Sequence, residues 1–112
     1  MLMATRKIEV EQLASYFDSL GKKLGAELVE IEVAGLGLGD QIETEWVALL
    51  GISYDPKDKV VAITTEAVEH LIHAPQTVYV DEEAGDIKSI DITDKDSNHH
   101  IVLFKKPLAL PN

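Results

Sequence analysis

The sequence predicts an α+β fold: a mostly antiparallel sheet of about five or six strands, an N-terminal helix packed on one face, and a second short helix. Three observations predict it. One segment near the start carries apolar residues at steps of three and four. Several later segments alternate or are rich in β-branched residues. The segments between them are short and turn-like, so neighbouring strands must run antiparallel.

The first helix is expected over residues 9–23. Val10, Leu13, Ala14, Phe17, Leu20 and Leu24 recur on one side of a 3.6-residue period. Glu9 and Glu11 suit the positive N-terminal end of a helix, and Lys22 and Lys23 the negative C-terminal end. Gly25 is a natural stop. Residues 27–34 then alternate, with Val29, Ile31 and Val33 on one side and Glu30 and Glu32 on the other. This is a half-buried strand with a wet face. Residues 35–40 form a glycine loop that ends or bends it. Residues 45–54 and 60–65 read as two strands joined by Asp55-Pro56-Lys57-Asp58, where proline pre-sets a turn.

Residues 66–74 read as the short helix. Ala67, Leu71 and Ala74 with Val68 and Ile72 make an apolar side, and Pro75 stops it. Strands follow at 77–81, 87–93 and 99–105. They are separated by Glu83-Ala84-Gly85-Asp86 and by Asp94-Lys95-Asp96-Ser97-Asn98. Pro107-Leu108-Ala109-Leu110-Pro111 reads as an apolar tail that must dock. No linker or repeat divides the 112 residues, so one compact domain, 1–112, is expected.

Ten Lys and Arg against twenty Asp and Glu give a net charge of −10. That field repels phosphate backbones and anionic lipid, so neither nucleic acid nor membrane is expected as a partner. No apolar run approaches a membrane span, and the N-terminal residues lack the pattern of a signal peptide. The cytoplasm is the expected compartment. There is no cysteine, which removes disulfides, thiolate nucleophiles and cysteine-ligated metal.

Each chemical motif meets a plainer reading. Gly35-x-Gly37-x-Gly39 lacks the third spacing of a dinucleotide loop and the Gly-Lys-Ser/Thr of a P-loop. A bulge or bend with Leu36 and Leu38 packing inward fits better. Asp94-x-Asp96-x-Asn98 copies the first ligands of a calcium loop. It has His99 and Lys105 where that loop needs Gly and Glu, so a turn is favoured. On the expected helix, His70 and His73 share a face, whereas His99 and His100 on a strand point to opposite faces. No serine has the Gly-x-Ser-x-Gly frame. Trp46 reads as a core or sheet-face residue.

Across nearly its whole length the chain resembles a family of small bacterial proteins of unknown function. The resemblance runs through Tyr16-Phe17-Asp18, Glu30-Ile31-Glu32-Val33, Glu45-Trp46 and the stretch Leu50-Gly51-Ile52-Ser53-Tyr54-Asp55-Pro56-Lys57-Asp58. It continues in Glu69-His70-Leu71-Ile72, Tyr79-Val80-Asp81-Glu82 and residues 107–111. It implies no activity, substrate or catalytic residue.

The sequence favours a non-catalytic interaction or regulatory module over an enzyme, with a protein partner or self-association as a homodimer. Leu36, Leu38, Leu108 and Leu110 are its candidate apolar patch, and no cofactor is expected. The alternative is a small-ligand or metal-dependent enzyme that uses His70 and His73 with the carboxylates of Asp81 and Glu82.

Overall fold

A computed structural model describes residues 3–35, 39–83 and 86–109, with only the backbone for Met3, Asp40 and residues 107–109. Within these residues the chain forms β1 (Met3–Ile8), a 3-10 turn (Val10–Gln12), α1 (Leu13–Gly21), β2 (Leu28–Gly35) and β3 (Gly39–Asp55). These are followed by β4 (Val60–Thr65), β5 (Glu69–His73), β6 (Thr77–Glu83), β7 (Asp86–Thr93) and β8 (His99–Ala109). The described strands make one eight-stranded sheet in the order β1-β6-β7-β8-β2-β3-β4-β5. Every pair is antiparallel. The class is as expected. The strand number is higher, and only one α-helix is present among the described residues.

Helix α1 buries Leu13, Phe17 and Leu20, which come from its predicted apolar face, and it packs against β3. Strand β2 buries Val29, Ile31 and Val33 and leaves Glu30 and Glu32 half-covered on the other side. One core cluster takes Ile8 from β1, Phe17 from α1, Ile31 from β2, Ile63 from β4, Ile72 from β5 and Ile90 from β7.

Two segments depart from the sequence reading. The expected second helix is strand β5, paired with β4 from Val60↔His73 to Thr64↔Glu69. The local signal behind the helix was real. The Thr65 hydroxyl oxygen accepts from the Ala67 and Val68 backbone N–H groups at 3.2 and 3.0 Å, as a helix N-cap would. The Thr65 N–H and hydroxyl then both donate to the Val68 carbonyl at 2.9 Å. This closes a turn instead of starting a helix, and Glu69 onward returns along β4. Residues 3–8, given no element, form edge strand β1 against β6. Its Arg6 and Lys7 hid it, and charged residues are how edge strands avoid pairing with other chains.

Strand β3 is long and repeatedly bulged. Between Val29 and Ile31 of β2 lies one residue, while between Val47 and Thr44 of β3 lie two. Ile31–Glu32 opposes Thr44 and Ile42, which leaves Glu43 as an extra residue. On the other edge Leu49 and Gly51 pair with the consecutive Thr65 and Thr64, which leaves Leu50 extra. Trp46 sits at a positive φ of 49° within this region. Each bulge bends the strand and increases its twist. The first half of β3 therefore lies in the plane of β2, and the second half turns away carrying β4 and β5.

The tail assigned to docking begins as strand: Asp86 and Ile87 pair with Ala109 and Leu108. The proposed apolar patch cannot be built from this structure. Leu36, Leu38 and Leu110 lie outside the described residues, and Leu108 is described by its backbone alone.

Candidate functional site

Alternation along β8 separates its two adjacent histidines. His100 faces the core and His99 faces outward, as a strand requires. Each finds an aspartate from the same β7–β8 hairpin.

On the inner side, the turn before β8 is built around Asp94. Its Oδ1 accepts from the Asp96 and Asn98 backbone N–H groups at 2.8 and 3.1 Å. Its Oδ2 accepts from the Asn98 side-chain amide at 3.3 Å and lies 2.9 Å from His100 Nε2. The aspartate thus does the work of a tight turn and also faces a histidine. The other ring nitrogen of His100, Nδ1, lies 2.9 Å from Nε2 of His70 on β5. The rings are tilted by 56° with centroids 5.1 Å apart. The result is a hydrogen-bonded chain, Asp94–His100–His70.

The charge states follow from the surroundings. Burial alone would raise the Asp94 carboxyl. The hydrogen bonds from His100, Asn98 and Asp96 outweigh it and hold the carboxyl below its ordinary value. Burial pushes His70 below the ordinary histidine value, and the charge of His100 adds to this. Glu43 opposes it.

On the outer side, His99 Nδ1 lies 2.9 and 3.2 Å from the two Asp91 oxygens and 3.4 Å from the Thr93 hydroxyl. These groups stand at one end of an open groove of about 460 Å³ lined by Thr5, Tyr79, Asp81, Ser89, Asp91 and His99. The groove runs across β1, β6, β7 and β8. The Thr5 hydroxyl donates to Asp81 at 3.4 Å.

The expected grouping of His70 and His73 with Asp81 and Glu82 does not form. It required a helix, on which residues three apart share a face. On strand β5 they point oppositely: His70 is half-buried and His73 exposed. Asp81 lines the outer groove. Glu82 stands opposite a bulge at Lys88 of β7 and meets Arg6 at 3.4 Å. Among the described residues, no three of the His, Asp and Glu side chains gather closely enough to hold a metal ion. The residues missed were Asp91 and Asp94 as histidine partners. The available signal was an aspartate-centred hairpin turn leading directly into two consecutive histidines.

Comparison with known proteins assigns the family. The model of a family of unknown function, DUF5335, matches residues 4–112. The chain belongs to this family. A bacterial relative from Aquifex aeolicus (strain VF5), described as an uncharacterized protein, is 46% identical over 110 residues, 97% of this chain and 99% of its own. No solved structure matches the chain significantly. The family's span takes in both histidine pairs, the groove and the bulged β3. Among the described residues no helix is long and apolar enough to cross a membrane.

Proposed function

We infer that this family member is a non-catalytic binding module whose outer sheet face receives a basic segment of a partner protein. One observation carries the reading: Asp81 and Asp91 line a single open groove beside Tyr79, a residue 40% exposed. Two carboxylates can pair lysine or arginine, and a tyrosine ring offers its face to a cation. The chain's net charge of −10 steers cations toward it and repels nucleic acid. The cytoplasm stays the compartment on the sequence expectation alone.

The same groove invites a catalytic reading, because it also holds a serine, a histidine and an aspartate. The register argues against it. Ser89 and Asp91 are two residues apart on β7, and His99 pairs with Thr93. Ser89 therefore stands four strand positions from His99's partner, roughly 13 Å at the strand rise. A nucleophile and its base must come within hydrogen-bond reach, about 3 Å. The His99–Asp91 pair is thus a polar wall of the groove.

The test is a titration with an oligolysine peptide, followed by amide shifts of the isotope-labelled protein. The reading expects shifts confined to β1, β6, β7 and β8 on the groove side. It also expects weaker binding in Asp81→Asn/Asp91→Asn and in high salt. Shifts spread evenly over the acidic surface, or none, would sink it.

A further inference from the structure

The Asp94–His100–His70 chain is used neither by the groove nor by the fold's ordinary ladder. Its location is unusual. In the sheet order β5 is four strand spacings from β8. At about 4.8 Å each, a flat sheet would hold them roughly 19 Å apart. Nitrogens of the two imidazoles are nevertheless 2.9 Å apart. The bulged β3 bends the β4–β5 wing back over the inner face, and the histidine pair joins the far edge of that wing to β8. Among the described residues strand β5 pairs with β4 alone, so this polar contact ties down an edge.

The hydrogen atoms in this chain can be assigned by elimination. Asp94 is ionised and can only accept, so His100 donates from Nε2–H. His100 Nδ1 then carries a lone pair and accepts from His70 Nε2–H. A first added proton keeps every bond. One hydrogen still lies between the two rings, donated by one nitrogen and accepted by the other across 2.9 Å, and the bond to Asp94 is kept. A second proton has no such place. Two imidazolium rings would point N–H groups at each other across 2.9 Å, and like charges that close cannot coexist.

The groups around the pair do not rescue it. The ladder partner of His70 is Ile63 from β4. Those of His100 are Val33 from β2 and Ile92 from β7. Among the described residues, the charged groups acting on the pair are Asp94, already bonded to His100, and Glu43 from the bulged part of β3, which acts on His70.

We propose that Asp94, His100 and His70 form an acid-released clasp that holds edge strand β5 onto β8, stays closed with one added proton, and opens on the second. Opening frees β5 while the rest of the core stays packed.

The test reads the intact protein at several pH values by imidazole nitrogen shifts and by amide hydrogen exchange. At neutral pH both His70 and His100 should show the Nε2–H tautomer. On acidification, β5 exchange corrected for intrinsic chemistry should accelerate about tenfold across one pH unit, the response of an opening that takes up one proton. Exchange of β1, the other edge strand, should show no such gain. His73→Gln, on the opposite face of β5, should keep the response, and His70→Gln should abolish it. The clasp is overturned if β5 and β1 respond alike, if His100 carries its neutral-pH hydrogen on Nδ1, or if both variants behave as wild type. Should His70→Gln not fold, the wild-type tautomers and the β5–β1 comparison still decide.

Discussion

His99 and His100 are neighbours in one strand, each holds an aspartate at 2.9 Å, and they differ almost entirely in what that contact is worth. The His99 and Asp91 side chains are 49% and 36% exposed, whereas His100 and Asp94 are 10% and 13% exposed. Water competes for every bond of the outer pair and screens its charge, so such pairs contribute little. The inner pair has little water to fall back on. Removing one member there leaves the other desolvated and unpaired. Identical chemistry is thus a groove wall on one face and a tertiary tie on the other.

The comparison breaks most sharply with His100→Ala. It strips Asp94 of a charge-assisted bond, strips His70 of its hydrogen bond to His100, and opens a hole beside Val33 and Ile92. A loss of about 2–4 kcal/mol in urea unfolding is expected. Asp94→Ala should cost somewhat less, about 1–3 kcal/mol, because the turn keeps its backbone bonds from Asp94 N–H to the Asn98 carbonyl and from Ser97 N–H to the Asp94 carbonyl.

Acid titration of stability separates His70 from Asp94. His70 has its pKa lowered in the fold, by burial first and by His100 second. Its unfolded form therefore binds a proton first, and stability falls as pH drops below about 6.5 toward the folded value. Asp94 is also lowered, its hydrogen bonds overcoming the burial that opposes them. Its contribution is present above about 3.9 and is lost as pH falls through the lower folded value. Urea midpoints against pH should show both steps in wild type. The upper step should shrink in His70→Gln, and the lower step should vanish in Asp94→Ala.

A smaller effect is expected from Gly35→Ala, which sharpens the comparison from a distance. A Cβ on Gly35 would collide with the Asn98 side chain, the group that donates to Asp94 Oδ2. The carboxamide can swing aside, so the cost is the lost Asn98 contact, about 1 kcal/mol by the worth of one hydrogen bond. The Asp94 acid step should move toward the ordinary value at the same time.

Part of this was legible in the sequence. The apolar face of α1, the alternation of β2 and the opposed directions of His99 and His100 follow from period alone. Asp94 was legible as a turn residue, because turn chemistry is local. The partnership of His100 with His70 was not, since it depends on three bulges in β3 that bring strands from opposite halves of the sheet together. Nor was β5. Its spacing fits a helix as well as a strand over so few residues, Thr65 supplies a genuine cap, and only pairing with β4 decides the matter. The glycine run drew attention to residues 35–39, yet the part that matters to the site is the absence of a side chain at Gly35. Nothing in one sequence connects that to Asn98.

The smallest stability effect belongs to His99→Ala. The ring is half in water and its partner Asp91 stays solvated, so unfolding should change by less than about 0.5 kcal/mol. Its consequence should appear in the groove. Without His99 the Asp91 carboxylate loses its neighbour at 2.9 Å and presents both oxygens to a ligand. Oligolysine should then bind as tightly as to wild type or more tightly, with a steeper dependence on salt. A variant that is stable but binds the peptide much less well would make His99 a direct contact. A large loss of stability would show that the outer pair is a structural tie like the inner one, and the contrast between the two faces would fail.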